Sequence, residues 1–352
     1  MTQWGGGLHD FRMNGGNALE FAINEVDLAL ISALQLNPRA SWAEVGRVLA
    51  IDASTVSRRW ARLAEEGAAW VSCQPLFTSA PALGFIEITV DAGHSLDVAA
   101  ELAADPQAMT IDVAAGARDL LVTVTCLDGF QLATYLLERV SRVPHVRSVQ
   151  SHVIAASYAD ASQWRLRALD KAQETRMRST LPRRSGEPTR RTVGPRERAL
   201  VAALSQDGRA SLADLAAVID ASETTARRRL DALVGQGQVR LRCELARVLT
   251  GFPVSEWFFV RVPSDRIDAA AKSLATIPEV RAVLSAAGPF NLLVAVWLRT
   301  VVDGQRLETQ VMQKLPHVEI VDRSVVIRPF KLAGRMLDPR GFATGVVPLE
   351  LA

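Results

Sequence analysis

The sequence predicts an α+β protein made of two copies of a winged helix-turn-helix, each followed by a ferredoxin-like βαββαβ sandwich, and three observations carry that expectation. The first is internal repetition, which decides the fold before any single element does. Shifted by 170 positions, residues 39 to 73 match at Arg39/Arg209, Ala40/Ala210, Ser41/Ser211, Ala43/Ala213, Val48/Val218, Thr55/Thr225, Arg58/Arg228, Arg59/Arg229, Leu63/Leu233, Gly67/Gly237 and Cys73/Cys243, 11 of 35. The second is a later block in nearly the same register. Shifted by 172, Ala114, Ala115, Gly116, Leu120, Leu121, Val122 and Val124 find Ala286, Ala287, Gly288, Leu292, Leu293, Val294 and Val296, and Pro144-His145-Val146 recurs as Pro316-His317-Val318. The third is a change of period inside each copy, from helical spacing to alternation.

Each helix follows from its apolar spacing. Val26, Leu30, Ala33 and Leu34 share a face of a segment that Asn37-Pro38 ends. Ser41 with Glu44 makes a capping box for a second helix lined by Val45, Val48 and Leu49. A third helix starts at Asp52 or Ser54 and buries Val56, Trp60 and Leu63. Its counterparts are Leu200, Ala203 and Leu204, then Ser211, Asp214, Leu215, Val218 and Ile219, then Ala226, Leu230 and Leu233. With those faces buried, Ser54, Thr55, Ser57, Arg58 and Arg62 look outward from the third helix, as do Thr224, Thr225, Arg227, Arg228 and Arg229 in the second copy. Such a face is either solvated or a reader of double-stranded DNA. Arg pairs bidentately with guanine, while Ser and Thr contact base edges or phosphates. Its place on the third helix of a tri-helical unit, twice, favours DNA.

After a Gly-containing turn, Trp70 to Leu76 and Val239 to Leu245 are β-prone and read as wings or connecting strands. Cys73 and Cys243 fall there, as small buried residues or as an oxidant-sensing pair. Phe85 to Val90 then alternates, with Ile86, Ile88 and Val90 on one face. Leu96 to Ala104 is helical, Met109 to Ala114 and Leu120 to Cys126 are strands, Phe130 to Val140 is helical and Val146 to Ala155 is a strand. The second copy repeats the order from Glu256 to Ile327. A sheet with helices on one face leaves the other to be covered, which predicts association of the two copies or of two chains. The expected boundaries are 18–76, 80–158, 159–195, 196–246, 250–330 and 331–352. The join at 159–195 is basic, with 11 Lys or Arg against 4 acids between Arg165 and Arg198. It reads as a flexible tether or a DNA-backbone contact. The tail 331–352 is expected to pack on the sandwich.

Composition bounds the function. With 352 residues, 49% apolar, the chain can bury two or three cores. Lys and Arg total 40 against 38 acids, so any contact with a polyanion must use local patches. The longest apolar run, Leu292 to Leu298, is far short of the roughly 18 residues a bilayer needs. The start lacks a secretory pattern, and three cysteines without CxxC spacing point to a reducing compartment. A cytoplasmic protein with no membrane partner is the expectation. Neither GxxxxGK[ST], GxSxG nor HExxH occurs, and His and Cys lack metal-ligand spacing. No enzyme, metal or cofactor is therefore expected.

Between the second and third strands lie Ala115-Gly116-Ala117-Arg118-Asp119 and Ala287-Gly288-Pro289-Phe290-Asn291, either ordinary hairpin turns or amide cradles for a small carboxylate. This Gly-x-x-Asp turn running into Leu120-Leu121-Val122, behind a helix-turn-helix and before a Pro-x-Val, resembles the Lrp/AsnC family of transcriptional regulators over about residues 24–155 and 196–328. The resemblance implies a sandwich that senses an amino acid or related metabolite and oligomerises. It implies effector contacts at Gly116, Asp119 and Leu120, and at Gly288, Asn291 and Leu292. Departures are Asn291 in place of the acid, Pro289-Phe290 in the turn, and His145 and His317 where the family usually has Gly. One unit per chain is usual there, so this chain resembles a fused, diverged dimer. Its unequal reading faces (Ser57 against Arg227, Arg62 against Ala232) predict unequal half-sites. Two rivals remain: an enzyme similar to siroheme decarboxylases, with His145, His152, His317 and Arg118 as its candidate groups, and an architectural DNA-binding protein without an effector.

Overall fold

A computed structural model describes residues 21–75, 82–160, 164–181 and 194–349. Asn24 and Asp27 cap each other's backbone at the start of α1 (Glu25–Leu36). The Ser41–Glu44 box opens α2 (Trp42–Leu49), and α3 (Ala53–Glu65) follows Asp52. Leu30, Leu34, Val45, Val56 and Leu63 pack these three helices together. β1 (Ala69–Pro75) leads to β2 (Ala82–Val90), α4 (Ser95–Ala103), β3 (Ala108–Ala114) and β4 (Leu120–Cys126). Next come α5 (Gly129–Thr134), prolonged by a π turn over Tyr135–Arg139, then β5 (Val146–Ala159) and α6 (Lys171–Ser179). The second copy repeats the plan with α7 (Pro195–Gln206), α8 (Leu212–Val218), α9 (Glu223–Gly235), β6 (Val239–Leu245), β7 (Val254–Arg261), α10 (Ile267–Leu274), β8 (Val280–Ala286), β9 (Leu292–Leu298), α11 (Val301–Lys314) and β10 (Glu319–Leu332). β11 (Arg335–Leu337) and β12 (Ala343–Val346) end it.

The two sandwiches cover each other inside one chain. β5 pairs with its own β2 up to Ile154 and then with β8 of the other copy; β10 pairs with β7 and then, from Val326, with β3. Eight strands thus close a ring in the order β10-β3-β4-β2-β5-β8-β9-β7. Helices lie on its outside over Ile86, Ile88 and Val122, and over Val260, Val283 and Val294. Its inside is filled by Phe85, Leu121, Trp257, Phe259, Leu284 and Leu293. The apolar run Leu292–Leu298 is β9, buried throughout because both faces meet side chains. No helix among the described residues is long and apolar enough to cross a membrane.

Three expectations are refined or changed. The β-prone stretches, expected as wings or connecting strands, pair with each other as β1 and β6, from Ala69↔Leu245 to Pro75↔Val239, in a ribbon between the helical units. Cys73 and Cys243 are buried in it, and burial pushes both thiols up, Cys73 to about 12, which fits a packing role rather than a reactive thiolate. Residues 164–181 are not a loose tether. Met177 is fully buried in the first helical core, and the side chains of Gln35 and Ser32 accept from the amides of Leu166 (2.9 Å) and Ala168 (3.1 Å). Residues 161–163 and 182–193 of the basic join lie outside the described residues. The tail packs beyond the sandwich: Phe342 joins the first helical core, and Ala343 donates to the Gly67 carbonyl at 2.8 Å. Gly67 sits at φ +66, and a Cβ there would lie 2.1 Å from the Ala343 oxygen, so only glycine admits this strand.

Candidate nucleic-acid interface and effector turns

α3 and α9 bury Val56, Trp60 and Leu63, and Ala226, Leu230 and Leu233, which turns their opposite faces outward. Ser54, Arg58, Thr224, Arg227 and Arg228 are exposed; Thr55, Ser57 and Thr225 are half-buried near the helix starts, where Thr225 donates its amide to the Ser222 cap. Arg58, Arg227 and Arg228 form no ion pair within the described residues. Arg62, exposed, and Arg229, half-buried, also pair with acids of α1 and α7. The buried Asp27 holds Arg59 at 2.9 Å and Arg62 at 2.8 Å, and Glu197 pairs with Arg229. Asp27/Glu197 and Arg59/Arg229 are equivalent under the 170-residue shift, so each unit carries the same staple between its first and third helices.

A reciprocal clamp joins the two units. Arg39 donates to the carbonyls of Gly208 (2.7 Å) and Ala210 (2.8 Å), and its repeat mate Arg209 donates to those of Pro38 and Ala40 (2.9 Å). Arg209 also lies 3.7 Å over the Trp42 ring, and burial lowers its pKa to about 10. Charged bidentate bonds of this kind fix geometry as well as energy. They hold α3 and α9 in one relation. Identity at these positions was visible in the repeat; their pairing across copies was not.

At the first turn Gly116 has φ +112, and the amides of Gly116, Ala117 and Arg118 donate to nothing among the described residues. Asp119 accepts from Val90 N at 2.8 Å, and Leu120 is fully buried, so these two shape the turn from behind. At the second turn Asn291 repeats the bond, accepting from Val262 N at 3.0 Å; Leu292 is buried and Gly288 has φ +155. Phe290 turns into the ring, 4.6 Å from His152 and 4.9 Å from Phe259. Its mate Arg118 pairs there with Glu87, donates to Ser324 at 2.7 Å and lies 4.0 Å over Phe259. His152 meets the same Glu87 at 2.7 Å, which brings two of the sequence's candidate catalytic groups together. His145 lies elsewhere, stacked on His94 at 3.6 Å with φ +67, the left-handed backbone that suits the glycine usual at this position in the family. Among the described residues no cluster of His, Cys, Asp and Glu has the form of a metal site.

The order of domains decides the family. The AsnC-type helix-turn-helix domain matches at residues 23–64 and 197–234, and the Lrp/AsnC ligand-binding domain at 83–164 and 258–336. Together these matches span more than half of the chain. The chain belongs to the Lrp/AsnC family. Relatives within it match one unit at a time. An uncharacterised HTH-type transcriptional regulator of Pyrococcus abyssi is 28% identical over 139 residues, 38% of this chain and 87% of that protein. The HTH-type transcriptional regulator FL11 of Pyrococcus horikoshii is 22% identical over 144 residues, 40% of this chain and 95% of that protein. Among solved structures, the siroheme decarboxylase NirDL aligns over 88% of this chain and 93% of its own, with TM-score 0.58 and 14% identity. That likeness shows a shared tandem fold. The protein is thus a DNA-binding transcriptional regulator of the Lrp/AsnC type, with a ligand-binding domain in each half.

Proposed function

We propose that this chain reads two unequal DNA half-sites, with Arg58 on α3 and Arg227 and Arg228 on α9 contacting bases or phosphates, and that a small metabolite, an amino acid or related compound, modulates the binding. The observation that carries the reading is the pair of exposed third helices whose unpaired arginines are set in fixed relation by the Arg39/Arg209 clamp. Free amides at the first turn, beside Gly116, support a carboxylate-bearing effector there. At the second turn Phe290 stands where the first has Arg118 and Asn291 where it has Asp119, so the two effector sites differ. Assembly into homo-oligomers through the sandwich domains and an intracellular, cytoplasmic setting belong to the same reading.

Selection of genomic fragments by the purified protein, repeated with Arg58→Ala and Arg228→Ala, tests it. Each variant should lose protection over one half of a bipartite site, about 1–3 kcal/mol if the lost contact is bidentate to a base. Absence of salt-sensitive binding to any fragment would overturn the proposal.

We further propose that the chain is not an enzyme. The Arg118–Glu87–His152 cluster and the likeness to NirDL are the specific observations on the other side. Against them, His152 is 2% exposed and its ring is spent on Glu87 under Phe290, an arrangement suited to support the ring interior. A tetrapyrrole absorption band that persists through gel filtration after mixing with siroheme would favour the catalytic alternative.

A further inference from the structure

The ring has a mouth that faces the β1–β6 ribbon, and a cavity of about 470 Å³ opens there, within the roughly 300–1,000 Å³ of small-molecule sites. Its deep wall is apolar, with Leu83, Ile154, Trp257, Leu284, Ala295 and Trp297 pointing in from the strands. Trp70 and Leu245 of the ribbon close it on the helical side, and Leu337 and Leu349 of the tail close the rim. Eight-stranded rings are wide enough to hold one small ligand in this way.

The polar groups are few and unequally matched. Of four lining arginines, Arg240 pairs with Asp160, while Arg242 and Arg281 share the buried Glu244. Arg247 remains. Asp112, which accepts from Trp257 Nε1 at 3.2 Å, is felt by Arg247 electrostatically but forms no ion pair with it. Arg247 Nε and Trp70 Nε1 are both buried N–H groups without a partner, and both line this cavity. Two orphan donors, one of them cationic, call for an acceptor that carries negative charge. Four cations against Asp112, Asp160 and Glu244 leave a surplus of one.

We propose that this cavity binds an amphipathic monocarboxylate, with its apolar body among Trp257, Trp297 and Leu284 and its carboxylate on Arg247 and Trp70. The site is separate from the Gly116 and Gly288 turns. Because its walls belong to the ring, the ribbon and the tail at once, an occupant touches three parts against which the helical units pack. That regulatory consequence rests on the DNA-binding reading; occupancy does not.

The test is calorimetric titration of the whole chain with 2-naphthoate, decanoate and the neutral 2-naphthamide, without DNA. Naphthoate or decanoate should bind saturably, and the amide about tenfold or more weaker, as expected for a lost charged hydrogen bond. Arg247→Met should weaken the acids by the same factor and Arg247→Lys should restore part of it, in proteins whose thermal melts match the parent. Ala282→Phe, which fills the cavity wall, should abolish binding, whereas Ala117→Trp at the exposed first turn should leave it unchanged. Equal binding of acid and amide, indifference to Arg247→Met, loss with Ala117→Trp, or no binding of either acid would each overturn the proposal. A protein that binds naphthoate but no genomic fragment would overturn the DNA reading alone, and the converse result would overturn this one alone.

Discussion

At the scale of single residues, the two copies have diverged as a set. Glu87, Arg118 and His152 of the first copy correspond, 172 positions on, to Phe259, Phe290 and Ser324 of the second. The polar trio and the mainly aromatic one meet inside the ring, where Arg118 packs on Phe259 and Phe290 on His152. A buried charge whose partner is removed costs far more than a pair exchanged together for apolar groups. Arg118→Met should therefore destabilise the chain by about 3 kcal/mol or more, and Glu87→Phe with Arg118→Phe and His152→Ser, which copies the second unit, should recover over half of that loss. Chemical denaturation of the three proteins checks this; equal losses would show that the pairing is not what matters. Asp112 makes a second prediction. Burial, opposed by the bond from Trp257 and by Arg247, raises its carboxyl from 3.8 to about 6. The folded chain then binds more protons than the unfolded one between those values, so Asp112 costs stability above about pH 6 and nothing below about pH 4. Asp112→Asn should raise the melting temperature at pH 7.5 and lose its advantage towards pH 4. An advantage independent of pH would exclude titration as its cause.

At the scale of elements, capping boxes and apolar spacing made every helix of both tri-helical units legible, because those signals are local. Two of the reading-face arginines carry partners that helical spacing does not show, for the opposite reason. A helical projection of α3 or α9 alone does not contain Asp27 or Glu197, which lie on α1 and α7 and pair with Arg62 and Arg229. A signal existed: the acids stand at the repeat distance, as do Arg59 and Arg229. The pairing of the two β-prone stretches, read as wings or connecting strands, was hidden for the same reason, since β1 finds its partner in β6 of the other copy. What the clamp does is testable on DNA. Half-sites read by two fixed helices must be separated by about one helical turn, 10–10.5 bp, or a multiple of it. Arg39→Ala with Arg209→Ala should bind the selected site more weakly and tolerate insertions of one or two base pairs that the parent rejects. Affinities across an insertion series measure this, and an unchanged spacing profile would deny the clamp its positioning role.

At the scale of the whole molecule, the open sheet faces were legible as a problem, and the two copies as its solution, but not the exchange of strands that solves it. β5 and β10, 14 residues each, run past the end of their own sheets and finish in the other copy's. Nothing local distinguishes a strand that ends from one that crosses. The consequence is that neither half owns a complete core: Phe85, Ala114, Leu121 and Ile154 from one side bury against Trp257, Phe259, Leu284 and Leu293 from the other. Apolar area of this kind exposed on a separated half would favour aggregation over folding. Among the described residues no ring strand lies between Ala159 and Val254, so a cut within the join severs none of the eight. A protease site inserted between Gly186 and Glu187, cut after folding, should therefore leave two pieces that co-elute on gel filtration and melt in one transition near that of the intact chain. The same pieces expressed separately should be insoluble, or recover the intact melting profile only when refolded together. Independent melting of soluble halves would show that the ring is an association of two finished domains, and the fused-dimer account of this fold would then fail.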